Sequence, residues 1–394
     1  MTGRRTAVVH DWLDAWGGAE SVTAAMLGAL GNAQLHALFD YLTPENRRRM
    51  GVEHVKTTFL QHIPGLRSRF WFGLPLMPLA IEQFDLREYD TVVSSSHAFA
   101  KGALTTADQL HVSYVHSPMR YAWDLHHEYL TDYGMNLGVK GWLARLIFHR
   151  LRHWDRQTAN NVDLFLANSE NVARRIWKIY RRRSFVLYPP ADLSRFSVSE
   201  VRDNYFVSVS RLVSYKRVDI AVEAFNRMPE RRLLVIGDGP ELAKLKTLAK
   251  PNIEFLGYQP DAVVAAHLAR ARALVFAANE DFGITPVEAQ AAGTPVVALK
   301  RGGAVETVLD AASQPRGTGV FFPQQSAEAL ISVIRDSESL IDTIAPADCR
   351  ANAERFSAQV FDTRFRQLMN AVEETWDGTR RSRHTFEAQV FRDA

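Results

Sequence analysis

Short runs of apolar and β-branched residues alternate with longer stretches whose apolar positions recur at helical spacing, and the alternation runs through most of the chain. In the first half the short runs predict strands at residues 7–10, 91–95, 112–115 and 164–167. In the second half they predict strands at 205–210, 233–236, 253–255, 274–277 and 296–299, with amphipathic helices such as 218–227 and 241–249 between them. Strands that are apolar at nearly every position need cover on both faces, which a parallel sheet with crossover helices supplies. The expected fold class is α/β.

The pattern restarts at about residue 200, just after Tyr188-Pro189-Pro190 and a polar stretch at 192–204. A proline pair followed by polar residues punctuates the chain as a linker does. The predicted organisation is a Rossmann-like domain at 1–195 and a second at 196–355. A final helix at 356–376 is placed in a third segment, 356–394, packing back toward the first domain, with a polar tail from Gly378. A chain of 394 residues is long enough for two such cores. Two doubly wound domains facing a central cleft would bind ligands at the carboxyl ends of their strands.

One constellation stands out at such an end: Glu280-Asp281-Phe282-Gly283-Ile284-Thr285-Pro286-Val287-Glu288, after an apolar strand and before a helical run. A glycine-containing turn feeding a helix start presents free N–H groups and a positive dipole end, which suits a diphosphate. Thr285, Pro286 and Glu288 also have the spacing of a capping box, so Glu288 serves either the helix start or a ligand hydroxyl. Glu280 is either a solvated loop carboxylate or a contact to sugar hydroxyls. Arg211 and Lys216 straddle the turn after the 205–210 strand and suit a diphosphate leaving group. The Gly237-Asp238-Gly239-Pro240 turn lacks the full dinucleotide fingerprint, and Gly257-Tyr258 either borders a nucleobase or is a simple turn. No Asp-x-Asp pair and no His/Cys cluster at ligand spacing occurs, so neither metal nor cofactor is expected.

In the first half, Asp11-Trp12 and Gly17-Gly18 link the first strand to a helix, and His116 ends a strand ahead of Arg120 and Tyr121. Their placement admits a second, acceptor-side site as readily as a structural role. The single cysteine, Cys349, excludes an internal disulfide and fits a reducing compartment. No signal peptide and no spanning helix is expected, which points to the cytoplasm. Net charge is +3 overall; residues 1–190 hold 22 Lys+Arg against 17 Asp+Glu, a net of +5, and the remainder is −2. The basic excess, at Arg181-Arg182-Arg183 and around 145–152, is either a solvated face or a surface for anionic lipid or phosphate. No nucleic-acid partner is expected. The aromatic-rich segment 66–79 is either a core helix or a membrane-interfacial patch.

Taken together these motifs resemble the GT-B retaining glycosyltransferases of family 4, over most of the chain and most strongly over about 205–310. The resemblance implies that Glu280 contacts the donor sugar, Glu288 the ribose, and Gly283 to Thr285 the sugar and phosphates. It pairs Arg211 with Lys216 at the phosphates, makes Gly17-Gly18 the N-terminal glycine loop, and makes His116 a histidine that touches the transferring sugar. It places Gly257, Tyr258, Phe282 and Ile284 on the donor side, and Asp11, Trp12, His116, Arg120 and Tyr121 on the acceptor side. More narrowly, His10-Asp11-Trp12, Ser94-Ser95-Ser96-His97-Ala98-Phe99-Ala100-Lys101-Gly102 and the segment from His116 to Asp124 look like the WbaZ-like mannosyltransferases of bacterial surface-polysaccharide assembly. That likeness implies GDP-mannose as donor and a polyprenyl-diphosphate-linked oligosaccharide as acceptor, with peripheral contact at the anionic inner-membrane face. The alternatives are a UDP-sugar donor, or a non-catalytic nucleotide-sugar-binding protein of the same fold.

Overall fold

A computed structural model describes residues 4–67, 70–376, 386 and 390. The chain divides into two compact units: one is formed by residues up to Pro190 together with those from Phe361, the other by Ala191–Val360. The break falls directly after the proline pair, five residues before the boundary read from the sequence. The polar tail expected from Gly378 lies outside the described residues.

The first unit is built on a parallel sheet: β1 (Thr6–His10), β2 (Gln34–Ala37), β3 (Lys56–Thr57), β4 (Thr91–Ser96), β5 (Leu110–Val115), β6 (Leu164–Ala167) and β7 (Phe185–Val186). Its spatial order is β3-β2-β1-β4-β5-β6-β7. β1, β4 and β5 are buried at every position, as two-sided cover requires. The final helix, Ala358–Thr375, sends Phe361, Phe365, Met369 and Val372 into the same cluster as Val22, Met26, Tyr114 and Leu187. The second unit repeats the plan with β8 (Tyr205–Val209), β9 (Arg232–Ile236), β10 (Ile253–Gly257), β11 (Ala273–Phe276), β12 (Val296–Leu299) and β13 (Gly319–Phe322). Its order is β10-β9-β8-β11-β12-β13.

Each order reverses once, between β1 and β4 in the first sheet and between β8 and β11 in the second. At such a switch point the flanking crossovers leave on opposite faces, so the carboxyl ends of the two strands open a crevice for ligand.

Within the segment 66–79, Leu66, Leu74 and Met77 are buried in the first unit's core, while Phe72, Leu76 and Leu79 are exposed. Arg67 pairs with Asp14 at 2.7 Å; Arg69 lies outside the described residues. Core packing thus accounts for half of this segment. Of the basic run at 181–183, Arg182 donates to the carbonyls of Ala159, Val162 and Asp163, which is a structural use.

Candidate active site

Both switch points hold the chemistry-bearing residues. In the second unit, β8 ends at Val209 and leads through Ser210–Leu212 to a short 3-10 turn, Ser214–Lys216. β11 ends at Phe276 and leads to Glu280 and then Gly283. The two loops meet: Lys216 Nζ stands 2.5 Å from Glu280 Oε1, and both side chains are mostly buried. Arg211 lies exposed on the first of these loops.

Glycines shape the cradle. Gly283, at φ 83°, occupies the left-handed region and caps the helix Ile284–Ala291, so a residue with a Cβ would be strained there. Beneath the Glu280 loop run Gly302 and Gly303. A Cβ on either would come within 2.3 Å of the Glu280 or Phe282 backbone, and Gly303 N–H donates to the Glu280 carbonyl at 2.8 Å. The Gly237-Asp238-Gly239 turn presses equally hard on the other loop. A Cβ on Gly237 would meet Ser210 O at 1.8 Å, and Leu212 N–H donates to Asp238 O at 2.8 Å. Gln325 Nε2–H donates to Ala277 O and so ties down the end of β11.

Three expectations change here. The capping box does not form. The helix begins at Ile284, its cap is Gly283 without a side-chain bond, and Thr285 lies inside the first turn. Glu288 is instead partnered by Arg195, whose Nη2 donates to its Oε1 at 2.8 Å, while Nη1 reaches Asp261 at 2.6 Å. Burial raises the Glu288 pKa above its ordinary value, and Arg195 works against that. Phe282 turns its ring into the core against Phe356, with centroids 5.5 Å apart, so only its backbone belongs to the loop. Gly257, at φ 68°, ends β10 and accepts from Gly237 N–H at 2.8 Å; the next residue, Tyr258, is 77% exposed. Arg195, Gly302 and Gly303 were not singled out in the sequence because their partners are distant along the chain.

In the first unit three histidines crown adjacent strands: His10 ends β1, His97 follows β4 and His116 follows β5. Their ring centroids lie 6.0–6.4 Å apart. Ser95 Oγ joins two of them, 3.0 Å from His10 Nδ1 and 2.8 Å from His116 Nε2, and meets Thr23 Oγ1 at 2.8 Å. Burial holds the His116 pKa well below its usual value, and the neighbouring His97 and His10 add to the effect. His116 is therefore a neutral group.

Asp11 is no acceptor contact. It is fully buried, and its carboxylate accepts from the backbone N–H groups of His97, Ala98, Phe99 and Ala100. His97 Nδ1 stands 3.0 Å from Asp11 Oδ2. Burial opposes charge on both, but their mutual attraction outweighs it: the Asp11 pKa falls below the usual carboxylate range and the His97 pKa rises. The pair thus favours the charged form of both side chains. The His97 side chain is 27% exposed, whereas Nδ1 is buried, so the exposed part is the far edge of the ring. Trp12 packs edge-on against it at 4.5 Å. Tyr121 is likewise displaced from a ligand role, because its ring is buried against Trp71, Tyr129 and Phe148. Arg120, one residue earlier, is partly buried. Gly17 caps the helix Gly18–Leu30, and a Cβ on Gly18 would meet open space. A buried ion pair, Lys101–Asp155 at 2.5 Å, anchors the far end of the 97–101 loop, with Trp123 and Tyr180 donating to Asp155. Among the described residues no group of three His, Cys, Asp or Glu is placed to hold a metal ion.

Comparison with known proteins gives these two sites a setting. Residues 16–195 match the family described as Glycosyltransferase Family 4, and residues 191–356 match Glycosyl transferases group 1. Each of the two units thus matches one glycosyltransferase family. A GDP-mannose-dependent alpha-(1-6)-phosphatidylinositol monomannoside mannosyltransferase of Mycolicibacterium smegmatis is 30% identical over 179 residues, covering 38% of this chain and 46% of that protein. A D-inositol 3-phosphate glycosyltransferase of Mycobacterium leprae is 29% identical over 192 residues, covering 42% and 44%. The chain thus spans under half the length of these relatives. Among solved structures, Anabaena HepE in complex with UDP and glucose superposes with a TM-score of 0.68 at 18% identity, over 93% of this chain and all of that one. The sucrose-phosphate synthase of Thermosynechococcus elongatus gives 0.71 at 16% identity, over 95% and 100%. These likenesses show the fold, two parallel-sheet α/β domains of the GT-B kind. No described helix is long and apolar enough to cross a membrane.

Proposed function

We propose that this chain is a retaining hexosyltransferase whose second domain holds a nucleotide-diphosphate sugar. The observation that carries the reading is the Lys216–Glu280 pair at the β8–β11 switch point, with Arg211 exposed on the same loop as Lys216. A cation and a carboxylate at ion-pair distance on two facing loops can divide their duties. Lys216 and Arg211 meet the diphosphate, whose charge grows as the sugar leaves, and Glu280 meets sugar hydroxyls. Fixed cations then do what a divalent ion does in other phosphate chemistry. In the transfer, the acceptor oxygen bonds to the anomeric carbon as the carbon–phosphate-oxygen bond breaks. The departing phosphate oxygen takes the acceptor proton.

GDP-mannose is the donor we favour, supported by the mannosyltransferase relative. A uridine donor is the second reading, favoured by the HepE complex with UDP-glucose. The acceptor is a lipid-linked oligosaccharide, received on the first domain at His97 and His116, and the protein works at the cytoplasmic membrane face. The deciding experiment is thermal melting with a panel of nucleotide sugars. A ligand at 100 times its Kd adds about 2.7 kcal/mol to the state that binds it. A shift with GDP-mannose and none with uridine sugars supports the favoured donor. The reverse selects the second reading, and no shift with any nucleotide sugar rejects the function.

A further inference from the structure

The helix Gly138–Thr158 and the turn before it carry a surface that the transfer reading neither uses nor explains. Leu137 is 86% exposed, Val139 83% and Trp142 66%, and Tyr133 and Leu143 are exposed beside them in sequence. Large apolar side chains scattered singly on a surface are ordinary; five within eleven residues are not. The helix buries Gly141, Ala144, Phe148, Leu151, Asp155 and Thr158, at helical spacing, so these apolar groups come from its outward side. Core packing therefore gives no reason for them.

Charge says what covers the patch. The helix carries Lys140, Arg145, Arg150 and Arg156 on exposed positions, with His149 and His153 among them. Arg152 is turned inward onto the Ala122 carbonyl. The helix's one acid, Asp155, is fully buried and paired with Lys101. Its solvent side is thus cationic with no acidic residue, and apolar at its beginning. The nearest acids before the patch, Glu128 and Asp132, belong to the preceding helix His126–Asp132. A tryptophan and aliphatic groups backed by cations without acids match the boundary of an anionic bilayer, where apolar groups enter the acyl edge and cations meet phosphates. A protein partner rich in acids would meet the cations and leave Leu137, Val139 and Trp142 in water. Trp71 packs on Tyr133 at 4.7 Å, which ties the end of this patch to the element that bears exposed Phe72.

We infer that the 133–143 turn and the helix that follows it dock this protein on an anionic lipid bilayer, with Trp142, Leu137 and Val139 inserted and Lys140, Arg145 and Arg150 on the headgroups. The inference is independent of which sugar is transferred, or whether any is. Its test is co-sedimentation of the full chain with phosphatidylcholine vesicles that contain or lack phosphatidylglycerol. The wild type should sediment with the anionic vesicles alone and be released as salt is raised. The variant W142S/L137S should lower the partition coefficient about tenfold or more, and K140E/R150E should abolish binding. Because all four side chains are exposed, melting temperatures should match the wild type, which separates lost docking from lost fold. Equal sedimentation with both vesicle types, no binding at all, or unchanged binding by W142S/L137S overturns the inference. So does a concentration-dependent dimer that W142S/L137S dissociates, since the patch would then cover a second copy.

Discussion

Lys216 and Glu280 approach to 2.5 Å with both side chains mostly buried, and each holds the other in place. Breaking a mostly buried pair leaves the remaining charge poorly solvated, at a cost of up to about 3–5 kcal/mol. Glu280→Gln, which keeps the shape of the side chain and an acceptor for Lys216, should melt below the wild type but stay folded, and lose most of its transfer rate. Lys216→Ala should lower kcat by roughly 10²–10³-fold, the range found when one donor to a developing charge is removed. Steady-state kinetics alongside melting curves check both; a normal rate in either variant removes the pair from the mechanism. The Asp11–His97 pair has a different signature. His97 is raised by Asp11, so its charged form adds stability below its unfolded pKa of about 6.5, and that contribution is lost as pH rises through the folded value. Asp11 is lowered, so its contribution is present above about pH 4 and fades in acid. Between these limits both contributions are present. The melting difference between wild type and His97→Asn should be larger at about pH 5.5 than at about pH 8.5. A difference independent of pH would show that the two side chains do not share charge.

At the scale of elements, the loops at the switch points owe their shape to neighbours, not to their own residues. Gly302, at φ 65°, lies under the Glu280 carbonyl, and Gly303 lies under Phe282. Gly303→Ala forces a methyl to within 2.3 Å of the Phe282 backbone, so the Glu280 loop must shift. The expected cost is roughly 1–3 kcal/mol in stability, with a fall in donor affinity that exceeds it in effect. Calorimetry with the nucleotide sugar checks this, and unchanged affinity would show that the loop is set elsewhere. This also explains what could be read from the chain. β6, β11 and β12 are apolar without interruption, so these runs are visible locally. β3 and β7 have two residues each, and β2 contains Gln34 and His36; a run that short or mixed carries no period. Glu280 and Glu288 were legible because one loop and one helix hold both. The Arg195–Glu288 contact bridges 93 residues, and the capping box that seemed to explain Glu288 needed a helix start two residues later than the real one. His97 was visible as part of a motif, but its pairing with Asp11 depends on β1 and β4 lying side by side.

For the whole molecule, the path of the chain matters more than its content. It leaves the first unit at Pro190, builds the second, and returns at Phe361. The returning helix puts Phe361, Phe365, Met369 and Val372 into the first unit's core, against Tyr114 and the Gly18–Leu30 helix, and Arg366 donates to Gly28 O at 3.2 Å. Removing a buried phenylalanine side chain costs about 3–5 kcal/mol, and a domain's whole stability is about 5–15 kcal/mol. Losing two such side chains together with Met369 and Val372 exceeds what the first unit can bear. The second unit has its own buried cluster, centred on Phe206, Phe225, Leu233 and Val297, which includes none of the returning residues. A chain ended at Val360 should therefore lose the folding transition of the first unit and keep that of the second. Its remaining transition should still rise when the nucleotide sugar that shifts the full chain is added, because Lys216, Glu280, Glu288 and Arg195 all belong to the retained unit. If the truncated chain melts as the intact one does, the terminal helix is dispensable to the core. If the surviving transition ignores the donor, the donor site needs more than the second unit.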